Sequence, residues 1–421
     1  MLDIKLIREN PDFVRENLEK RGDFEKIKLF EELLEKDKKR LKLKKEVENL
    51  KHEKNLLTKE ISIRKNKGEN ITSLIEKVNE ISKEIEAKEK ELNIFNERCK
   101  EILLQIPNLI HETVPIGNEN VEIRRWGSPP KFDFKPKNHL EILKEKMLID
   151  DERARKIAGR GFFYFYNNLA LLDLALIRFA IDRLMKKGYK LIIPPYMMRK
   201  EAYKGATDFN FFHEQLYKIE NEDLYLIATA EHPIAAMFMN ETFLASHLPL
   251  KIVAVSPCFR KEVGAHGKYT KGLFRMHQFH KVEQFVFCLP NQSWEIFEEI
   301  QKNAEELYQE LGLHYRVVNI CTADLGDFAS KKYDIEVWMA DGIFREAGSN
   351  SNCTDYQARR LNIKYREKEG QPPKGFVHTL NSTAIATSRT MIAIIEQYQR
   401  ENGDIIIPKA LRMYLDGLEK I

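Results

Sequence analysis

The chain has 421 residues, of which 32% are charged, and a formal net charge of +4. This length is sufficient for two domains with large cores, and the near balance of charge excludes a surface that binds nucleic acid over its whole extent. The five cysteines are scattered without a C-x-x-C pair, so the sequence suggests neither a zinc knuckle nor a disulfide framework, and a reducing compartment fits best.

Neither export nor membrane insertion is expected. The opening MLDIKLIRENPDF is charged from its third residue, whereas a secretory signal needs an apolar stretch behind a basic end. The most apolar window, 161–181, contains Asn167, Asn168, Asp173 and Arg178, which argues against a membrane-spanning helix. We therefore expect a cytoplasmic protein that does not contact membranes.

Two long helices are predicted at the start of the chain. Residues 29–65 are rich in Lys, Glu and Leu and lack proline and glycine, which favours helix. Apolar residues recur there at heptad spacing, and a second heptad series follows the turn signal NKGEN at 66–70. Since the connection is short, the helices should form an antiparallel hairpin roughly 55 Å long. The apolar positions are Leu43, Val47, Leu50, Leu57 and Ile61 in the first helix and Ile71, Leu74, Val78, Ile81, Ile85, Leu92, Phe95, Cys99 and Ile102 in the second, with Lys54 and Lys88 as exceptions.

The first of these helices carries the basic cluster KDKKRLKLKK at 36–45. Such a cluster is typical of a solvated helix face, and it is also compatible with a projecting arm that contacts RNA phosphates. The cluster alone leaves both interpretations open.

A linker and a domain of mixed composition follow. The segment IPNLIHETVPIGNEN at 106–120 breaks the heptad pattern with Pro107 and Pro115. Beyond it, runs such as YKLIIPPY and KIVAVSPCF alternate with helical stretches such as SWEIFEEIQKNAEELYQELG, which predicts an α+β domain built on an antiparallel sheet flanked by helices. Neither G-x-G-x-x-G nor G-x-x-x-x-G-K-S/T occurs, so the two commonest nucleotide-binding fingerprints are absent.

Residues 258–279 read CFRKEVGAHGKYTKGLFRMHQF, and the segments on either side suit the strands of a long hairpin. Because side chains alternate along a strand, Arg260 and Glu262 should share one face, as should Arg275, Phe279 and Glu283. Guanidinium, ring and carboxylate in a row suit a nucleotide, although a salt-bridged exposed sheet face would use the same residues. The predicted connection carries three glycines and two lysines, namely Gly264, Gly267, Gly272, Lys268 and Lys271.

This stretch resembles the second signature of the class II aminoacyl-tRNA synthetases, in the form found in seryl-tRNA synthetases. The likeness covers essentially the whole chain. It includes the helical arm, the linker HETVPIGNENVEIRRWG, the first signature KGYKLIIPPYM, the element TAE at 229–231, the stretch FREAGSNSNCTDYQARRLNIKYR and the third signature HTLNSTAIATSRTMIAIIEQYQ. The wording NSTAIATSR is similar to that of archaeal members.

The resemblance implies a domain organisation and an assembly. Residues 1–108 would be a tRNA-binding domain that contains the helical arm, and residues 109–421 a class II catalytic domain with a six- or seven-stranded antiparallel sheet. It also implies a homodimer, whose interface would involve the helix of the first signature and the strand that ends at Pro194 and Pro195. In such a dimer the arm would reach across to the tRNA.

The implied reaction has two steps. L-Serine and ATP, with Mg²⁺, would give seryl-adenylate and diphosphate, and the seryl group would then move to tRNA(Ser), with tRNA(Sec) as a second candidate acceptor. By the same resemblance, Arg260 would bind the α-phosphate and the serine carboxylate. Arg275 and Arg389 would hold the β- and γ-phosphates, and Arg389 would also lie against the adenine opposite Phe279. The glycine-rich connection would close over ATP, with Lys268 and Lys271 near phosphates.

The resemblance implies three further groups of site residues. Those for catalysis are Arg260, Arg275 and Arg389. Those for ATP are Arg260, Lys261, Glu262, Met276, Phe279, Glu346, Ala347, Gly348, Ser349 and Arg389, with Glu346 and Ser349 as ligands of Mg²⁺. Those for serine are Thr229, Ala230, Glu231, Arg260, Glu283, Asn381 and Thr383. Without the resemblance, Thr229 and Thr383 would be interpreted as ordinary strand residues and Glu346 as an ordinary ion-pair partner.

Two other classes of protein stay open at this point. One is a non-catalytic RNA-binding paralogue that kept the fold, and the other is an enzyme that charges a carrier protein instead of tRNA. The presence of Arg260, Glu262, Glu283, Glu346 and Arg389 argues against the first. The helical arm argues against the second.

Overall fold

The computed structural model describes residues 1–209, 213–262 and 272–421, which form two compact units, 1–107 and 108–421. Of the residues predicted to connect the hairpin strands, Gly272 is described. The others, Gly264, Gly267, Lys268 and Lys271, lie outside the described residues.

The first unit is helical in its described elements. Its helices are α1 (Ile4–Glu9), α2 (Pro11–Glu19), α3 (Phe24–Asn66) and α4 (Thr72–Leu103). The carboxylate of Asp23 accepts hydrogen bonds from the amides of Glu25 and Lys26, which caps the start of α3. The two long helices that the heptad pattern predicted are confirmed, although α3 begins at Phe24 rather than at Leu29.

Contacts between α3 and α4 establish an antiparallel hairpin. Heptad positions such as Leu43 and Val47 on α3 and Ile81 and Ile85 on α4 are buried. Ion pairs join residues that ascend along α3 to residues that descend along α4, namely Glu32 to Arg98 at 2.7 Å, Glu46 to Lys88 at 2.8 Å and Glu53 to Lys77 at 2.9 Å. Lys88, which interrupts the apolar series, therefore has a partner across the hairpin.

The basic cluster at 36–45 contributes partly to the fold and partly to the surface. Asp37 is buried and binds Arg8 at 2.6 Å and Arg40 at 2.7 Å. Although burial opposes it, these hydrogen bonds hold the pKa of Asp37 below its ordinary value. In contrast, the side chains of Lys38, Lys42 and Lys45 are exposed.

The second unit contains the remaining helices and all of the described strands. Its helices are α5 (His139–Glu145), α6 (Asp151–Ala158), α7 (Asn168–Lys186), α8 (Lys200–Ala206), α9 (Glu231–Ala236), α10 (Ser293–Glu310), α11 (Tyr356–Leu361), α12 (Thr387–Gln397) and α13 (Lys409–Arg412), with short 3₁₀ turns at His213–Gln215, Ala245–His247, Gly272–Phe274 and Pro290–Gln292. Its strands are β1 (Val121–Trp126), β2 (Ile149–Asp150), β3 (Tyr164–Phe165), β4 (Lys190–Ile192), β5 (Met197–Met198), β6 (Tyr225–Leu226), β7 (Thr242–Leu244), β8 (Leu250–Phe259), β9 (Gln278–Cys288), β10 (Tyr315–Asn319), β11 (Lys331–Trp338), β12 (Phe344–Asn352), β13 (Lys364–Arg366), β14 (Gly375–Phe376) and β15 (His378–Ala386).

The main sheet is antiparallel in nearly every pairing, as predicted. Its strand order is β1-β10-β11-β12-β15-β9-β8-β4. The edge strand β4 is the exception, because it runs parallel to β8. Within the described residues the sheet thus has eight strands, rather than the six or seven expected from the family resemblance.

The two faces of this sheet have different surroundings. On one face, α7, α10 and α12 pack over Val282 and Val286 in the largest apolar cluster. The first-signature helix α7 buries its predicted apolar residues there, namely Leu169, Leu172, Leu176 and Phe179. The opposite face carries Phe285 and Phe287 in a smaller apolar cluster with α9, and it leaves room for polar residues beside that cluster.

The chain's cysteines are all buried and unpaired. Burial raises the pKa of the Cys258, Cys288 and Cys353 thiols above the ordinary value. Among the helices that the structure describes, none combines the length and apolar character needed to cross a bilayer.

Candidate active site

The β8–β9 hairpin supplies the floor of the candidate site. The two strands pair so that Ala254 lies opposite Glu283 and Cys258 opposite Phe279, which confirms the predicted hairpin. The ladder ends at Phe259 and resumes at Gln278, so Glu262 and Arg275 lie beyond the strands. The expectation that strand alternation sets the faces of these two residues was therefore wrong.

Glu262 and Arg275 are paired with each other. Glu262 has a positive φ of 50°, and its Oε2 accepts a hydrogen bond from Arg275 Nη1 at 2.9 Å. Any role of Arg275 on a phosphate, or of Glu262 on a base, requires this ion pair to open or to be shared with the ligand.

Arg260 is held from three sides. Its backbone amide donates to the carbonyl of His277 at 3.0 Å, and its Nε donates to the carbonyl of Ala228 at 3.2 Å. Its guanidinium carbon lies 5.3 Å from the centre of the Phe279 ring, within the range of a cation–π contact. These contacts fix the stem of the side chain beside the sheet.

A β-bulge brings Glu346 and Ser349 to the same face. On β12, Gly348 pairs with Ile335 and Glu346 pairs with Glu336, so Ala347 is the extra residue. Without the bulge, residues three apart would point to opposite faces. With it, Ser349 Oγ lies 3.5 Å from Glu346 Oε1, and it also donates to Asp334 Oδ1 at 2.7 Å.

The side-chain oxygens of Glu346, Ser349 and Asp334 form an oxygen cluster. Its two carboxyl groups have different charge environments. Arg389 Nη1 lies 3.0 Å from Glu346 Oε1, and Arg389, with smaller contributions from Lys332 and Arg260, lowers the pKa of Glu346 against the effect of burial. Asp334 is buried, and burial together with the nearby Glu346 raises the pKa of Asp334. The two arginines from separate segments thus act on the same carboxylate.

Arg389 lies in the first turn of α12, directly after β15. Its guanidinium carbon is 4.7 Å from the centre of the Phe274 ring. In the described structure, therefore, Phe274 supports Arg389 and Phe279 supports Arg260. The resemblance had paired Arg389 with Phe279 across an adenine.

A cluster of polar side chains lies near Arg260. Thr383 is opposite Glu283 in the β15–β9 ladder, and Asn381 is two residues earlier on the same face. Glu231, at the start of α9, accepts hydrogen bonds on Oε1 from Asn381 Nδ2 and from Gln357 Nε2, both at 3.1 Å. Its backbone amide donates to Thr229 Oγ1 at 3.1 Å.

Two acidic groups in this cluster have raised pKa values. Burial, followed by the charge of Glu283, raises the pKa of Glu231 to about 7. Burial also raises the pKa of Glu283, although Lys281 Nζ lies 2.5 Å from its Oε2. Burial and the positive charges of Lys281 and Arg260 lower the pKa of His232 to about 3. A cationic group placed beside these carboxylates would offset the effect of Glu283 on Glu231.

The other predicted site residues lie around these groups. Ala347, Met276 and Ala230 are buried. Gly348 approaches Thr383 so closely that a Cβ atom would lie 3.1 Å from Thr383 Cβ. Lys261 differs from the other predicted residues in its contacts. Its amide donates to the carbonyl of Gln215, and its ammonium lies 5.8 Å from the centre of the Tyr217 ring.

Three residues of the site were not predicted from the sequence. Asp334 could have been found only from strand register, because it pairs with Ser349 across β11 and β12. Lys281 shares a face with Glu283 by simple alternation on β9. Gln357 lies within the stretch NCTDYQARR that carried the resemblance, but nothing in its spacing indicated the bond to Glu231.

The oxygen cluster is suited to a hard cation that has other ligands as well. Within the described ranges, no three His, Cys, Asp or Glu side chains are placed to hold a metal ion among themselves. Glu346, Asp334 and Ser349 offer two carboxylates and a hydroxyl, which fits Mg²⁺ because that ion takes few protein ligands and completes its shell with water and phosphate.

Comparison with known proteins places this arrangement in a family. A family model described as the seryl-tRNA synthetase N-terminal domain matches residues 1–110, and one described as the tRNA synthetase class II core domain (G, H, P, S and T) matches residues 213–398.

Similar proteins and structures agree with these matches over the full length. The serine–tRNA ligase of Methanocella arvoryzae is 49% identical, with 100% of each chain covered. The serine–tRNA ligase of Thermococcus sibiricus is 52% identical, with 98% of this chain and 96% of the other covered. The crystal structure of seryl-tRNA synthetase from Pyrococcus horikoshii complexed with ATP has a TM-score of 0.96 at 49% identity and covers 100% of this chain and 99% of that one. The chain therefore belongs to the seryl-tRNA synthetase family of class II aminoacyl-tRNA synthetases, as its sequence motifs predicted.

Proposed function

We propose that this chain activates L-serine with ATP and transfers the seryl group to tRNA(Ser), with tRNA(Sec) as a second candidate acceptor. The observation that carries the proposal is the clustering of guanidiniums and hard oxygens with the buried Glu283 and the half-buried Glu231 beside the antiparallel sheet. The similar Pyrococcus horikoshii protein is complexed with ATP, which supports ATP as the nucleotide.

In the first step, the serine carboxylate attacks the α-phosphorus and diphosphate leaves. No side-chain nucleophile is needed, so positioning and charge neutralisation supply the acceleration. We assign Arg260 to the α-phosphate and the serine carboxylate, since its stem is fixed between Ala228 and Phe279. We assign Arg275 and Arg389 to the outer phosphates. A planar fork of donors suits phosphate oxygens better than the point charge of lysine does.

The adenine has two candidate partners. The rings of Phe274 and Phe279 each support one of the assigned arginines. We propose that the base enters beside Phe279, with Glu262 and the backbone at Met276 reading its edge. This requires Glu262 to exchange its bond with Arg275 for one to the ligand.

Serine would occupy the pocket between α9 and β15. Glu231 and Glu283 attract its ammonium group, and Thr229, Thr383 and Asn381 lie close enough to line the same pocket. A site that hydrogen-bonds a substrate hydroxyl rejects an analogue that lacks it, because the buried polar groups would then be left unpaired. This is the physical basis we propose for the selection of serine over alanine.

Mg²⁺ would be held by Glu346 and Ser349, with Asp334 behind Ser349. When bound, the ion would neutralise charge on the ATP phosphates. The contribution of the chain is to keep these oxygens on one face through the bulge at Ala347 and to hold Glu346 in its charged form beside Arg389.

The two compact units suit two separate functions. We propose that residues 1–108 bind tRNA through the helical arm and that residues 109–421 perform the chemistry. The exposed Lys38, Lys42 and Lys45 support this, since ammonium groups on one helix can track RNA phosphates without reading sequence.

We also propose a homodimer that works in the cytoplasm. The edge of the sheet at β4 and the neighbouring helix α7 expose large apolar side chains, which a second copy would cover. These side chains are Leu171, Leu174, Met185, Leu191 and Ile193. Cysteines that are all unpaired suit a reducing compartment.

The test has two assays. Serine-dependent exchange of diphosphate into ATP should be observed and should stop when a chelator removes Mg²⁺, and charging of tRNA(Ser) with labelled serine should follow. Exchange without charging would indicate a carrier-protein enzyme, and loss of both would indicate a non-catalytic paralogue. Either result would refute the proposal.

A further inference from the structure

Glu396, near the end of α12, is a buried carboxylate that joins three segments of the second unit. Its Oε1 accepts hydrogen bonds from the backbone amide of His139 at 3.0 Å and from His139 Nδ1 at 2.8 Å. Its Oε2 accepts from the amide of Ala340 at 2.9 Å, in the turn between β11 and β12. Because α12 also carries Arg389 and β12 carries Glu346, this contact ties together the elements that bear the proposed phosphate and metal ligands.

The other side of the His139 ring faces the turn that supports Arg389. His139 is buried, and its Nε2 has no hydrogen-bond partner among residues 1–209, 213–262 and 272–421. A Cβ atom on Gly272 would lie 2.8 Å from this nitrogen and 2.8 Å from both δ carbons of Leu140. The turn Gly272–Phe274 is thus packed directly against the ring.

The same turn carries Phe274, whose ring centre lies 4.7 Å from the guanidinium carbon of Arg389. Nε2 of His139 therefore faces the turn that carries Phe274. Its Nδ1 bonds to Glu396 near the end of α12, the helix that carries Arg389 in its first turn. A shift of this ring would move Phe274 relative to Arg389, and catalytic groups must be held to within about 0.5 Å of their working geometry.

We infer that His139 is a positioning residue for ATP, which sets the Phe274–Arg389 contact by bridging Glu396 to the turn at Gly272. This inference rests on the proposed function, because it assigns Arg389 to the nucleotide. The plain alternative is a buried hydrogen-bonded pair that stabilises the fold and has no separate effect on the nucleotide site.

Variants of His139 separate the two roles of its ring. In His139→Asn, the amide nitrogen replaces Nδ1 and keeps the bond to Glu396, but nothing replaces Nε2. Gly272→Ala perturbs the other side of the ring, since it leaves the His139–Glu396 atoms in place and adds a methyl group 2.8 Å from Nε2 and from both δ carbons of Leu140, at a positive φ of 75° that strains any side chain. A matched control is His378→Asn, because His378 also bonds through Nδ1, to Ser293 Oγ at 2.9 Å, at the start of β15.

The experiment measures serine-dependent diphosphate exchange at varied ATP and at varied serine, together with the melting temperature of each full-length variant. For His139→Asn and Gly272→Ala we expect the KM for ATP to rise about tenfold or more, since small misplacements of a binding group can cost up to about 10²-fold. The KM for serine should stay within twofold of wild type, and His378→Asn should leave both KM values unchanged.

Two results would overturn the inference. One is a wild-type KM for ATP in both His139→Asn and Gly272→Ala. The other is a parallel loss for ATP and serine that follows the melting temperature, which would indicate a structural pair only. If His139→Asn does not fold, a wild-type KM for ATP in Gly272→Ala is by itself enough to overturn the inference. A wild-type chain without any exchange activity would instead refute the proposed function, which makes the two failures distinguishable.

Discussion

Arg389 Nη1 contacts Glu346 twice, at 3.0 Å to the side-chain Oε1 and at 3.1 Å to the backbone carbonyl. One guanidinium nitrogen therefore anchors the side chain to β12, while the other donors of the fork can still bind a ligand. This geometry makes Arg389 a fixed donor group rather than a mobile one.

Replacement of Arg389 by lysine should reduce kcat/KM for ATP in diphosphate exchange by about 10²-fold, because a single ammonium cannot hold Glu346 and a phosphate oxygen together. The KM for serine should change much less. A matched control is Arg345→Lys, since Arg345 is adjacent to Glu346 in sequence but pairs with Asp341 at 2.7 Å. Equal losses in the two variants would contradict the proposed role of Arg389.

The pH dependence of serine binding should report Glu231. Burial and Glu283 raise its pKa to about 7, so much of it is protonated below neutral pH. An ammonium group favours the ionised carboxylate, so the KM for serine should fall as pH rises from 6 to 8, with a limiting slope of about tenfold per pH unit below the pKa. Glu231→Gln should raise this KM and flatten its pH profile. An unchanged profile in Glu231→Gln would rule out Glu231 as the titrating group.

The raised pKa of Glu231 also predicts that, without serine, the stability of the fold falls as pH rises. A carboxyl group whose pKa is higher in the folded than in the unfolded chain stabilises the fold below its unfolded pKa, and this contribution is lost as pH rises through about 7. The melting temperature of wild type relative to Glu231→Gln should therefore decrease between pH 5 and pH 8. A constant difference would show that the ionisation of Glu231 is not coupled to folding.

Gln357 should act on serine through Glu231. Its Nε2 donates to Glu231 Oε1 at 3.1 Å, so Gln357→Leu should remove this bond, keep the one from Asn381 and raise the KM for serine about tenfold. The KM for ATP should be unaffected. Thr379→Val is the control, because it removes the 2.7 Å bond from Thr379 Oγ1 to Gln357 and leaves Glu231 untouched. Both variants should lose about 1–3 kcal/mol of stability, but only Gln357→Leu should change serine binding.

The arm should affect charging without affecting activation. We expect the triple variant Lys38→Ala, Lys42→Ala, Lys45→Ala to raise the KM for tRNA and to make the salt dependence of binding shallower by about one power of salt concentration per lost phosphate contact. Diphosphate exchange should stay at the wild-type rate.

The control for the arm removes the same charge elsewhere, with Lys302→Ala, Lys368→Ala and Lys409→Ala, which are exposed positions of the second unit. Equal effects of the two triple variants on tRNA would mean that only net charge matters, and the proposed role of the arm would be abandoned.

Periodicity in the sequence predicted the arm well because each heptad position depends on neighbours along the same helix. Leu43, Val47, Ile81 and Ile85 are buried as the spacing indicated. The hairpin of β8 and β9 was predicted for the same reason, since alternation is a local property. The ends of these strands were not predicted correctly, because the ladder ends at Phe259, before Glu262 adopts its positive φ.

The candidate site depends on contacts that local patterns do not encode. The bulge at Ala347 changes which side chains share a face, and it becomes visible only when β11 and β12 are paired. Asp334 enters the oxygen cluster through that same register. Gln357 reaches Glu231 across more than a hundred residues of sequence, so residue spacing alone carries no sign of the contact. The family resemblance supplied most of the candidate residues, but not these.

The burial of the cysteine thiols has a consequence for chemical labelling of the protein. Since every native cysteine is buried, and burial holds Cys258, Cys288 and Cys353 in the unreactive protonated form, maleimide dyes should find almost no background target in the folded chain. A single cysteine placed at an exposed position such as Lys67, between α3 and α4, would then accept one fluorophore. That label would test the proposed binding of RNA by the arm without first removing any native cysteine.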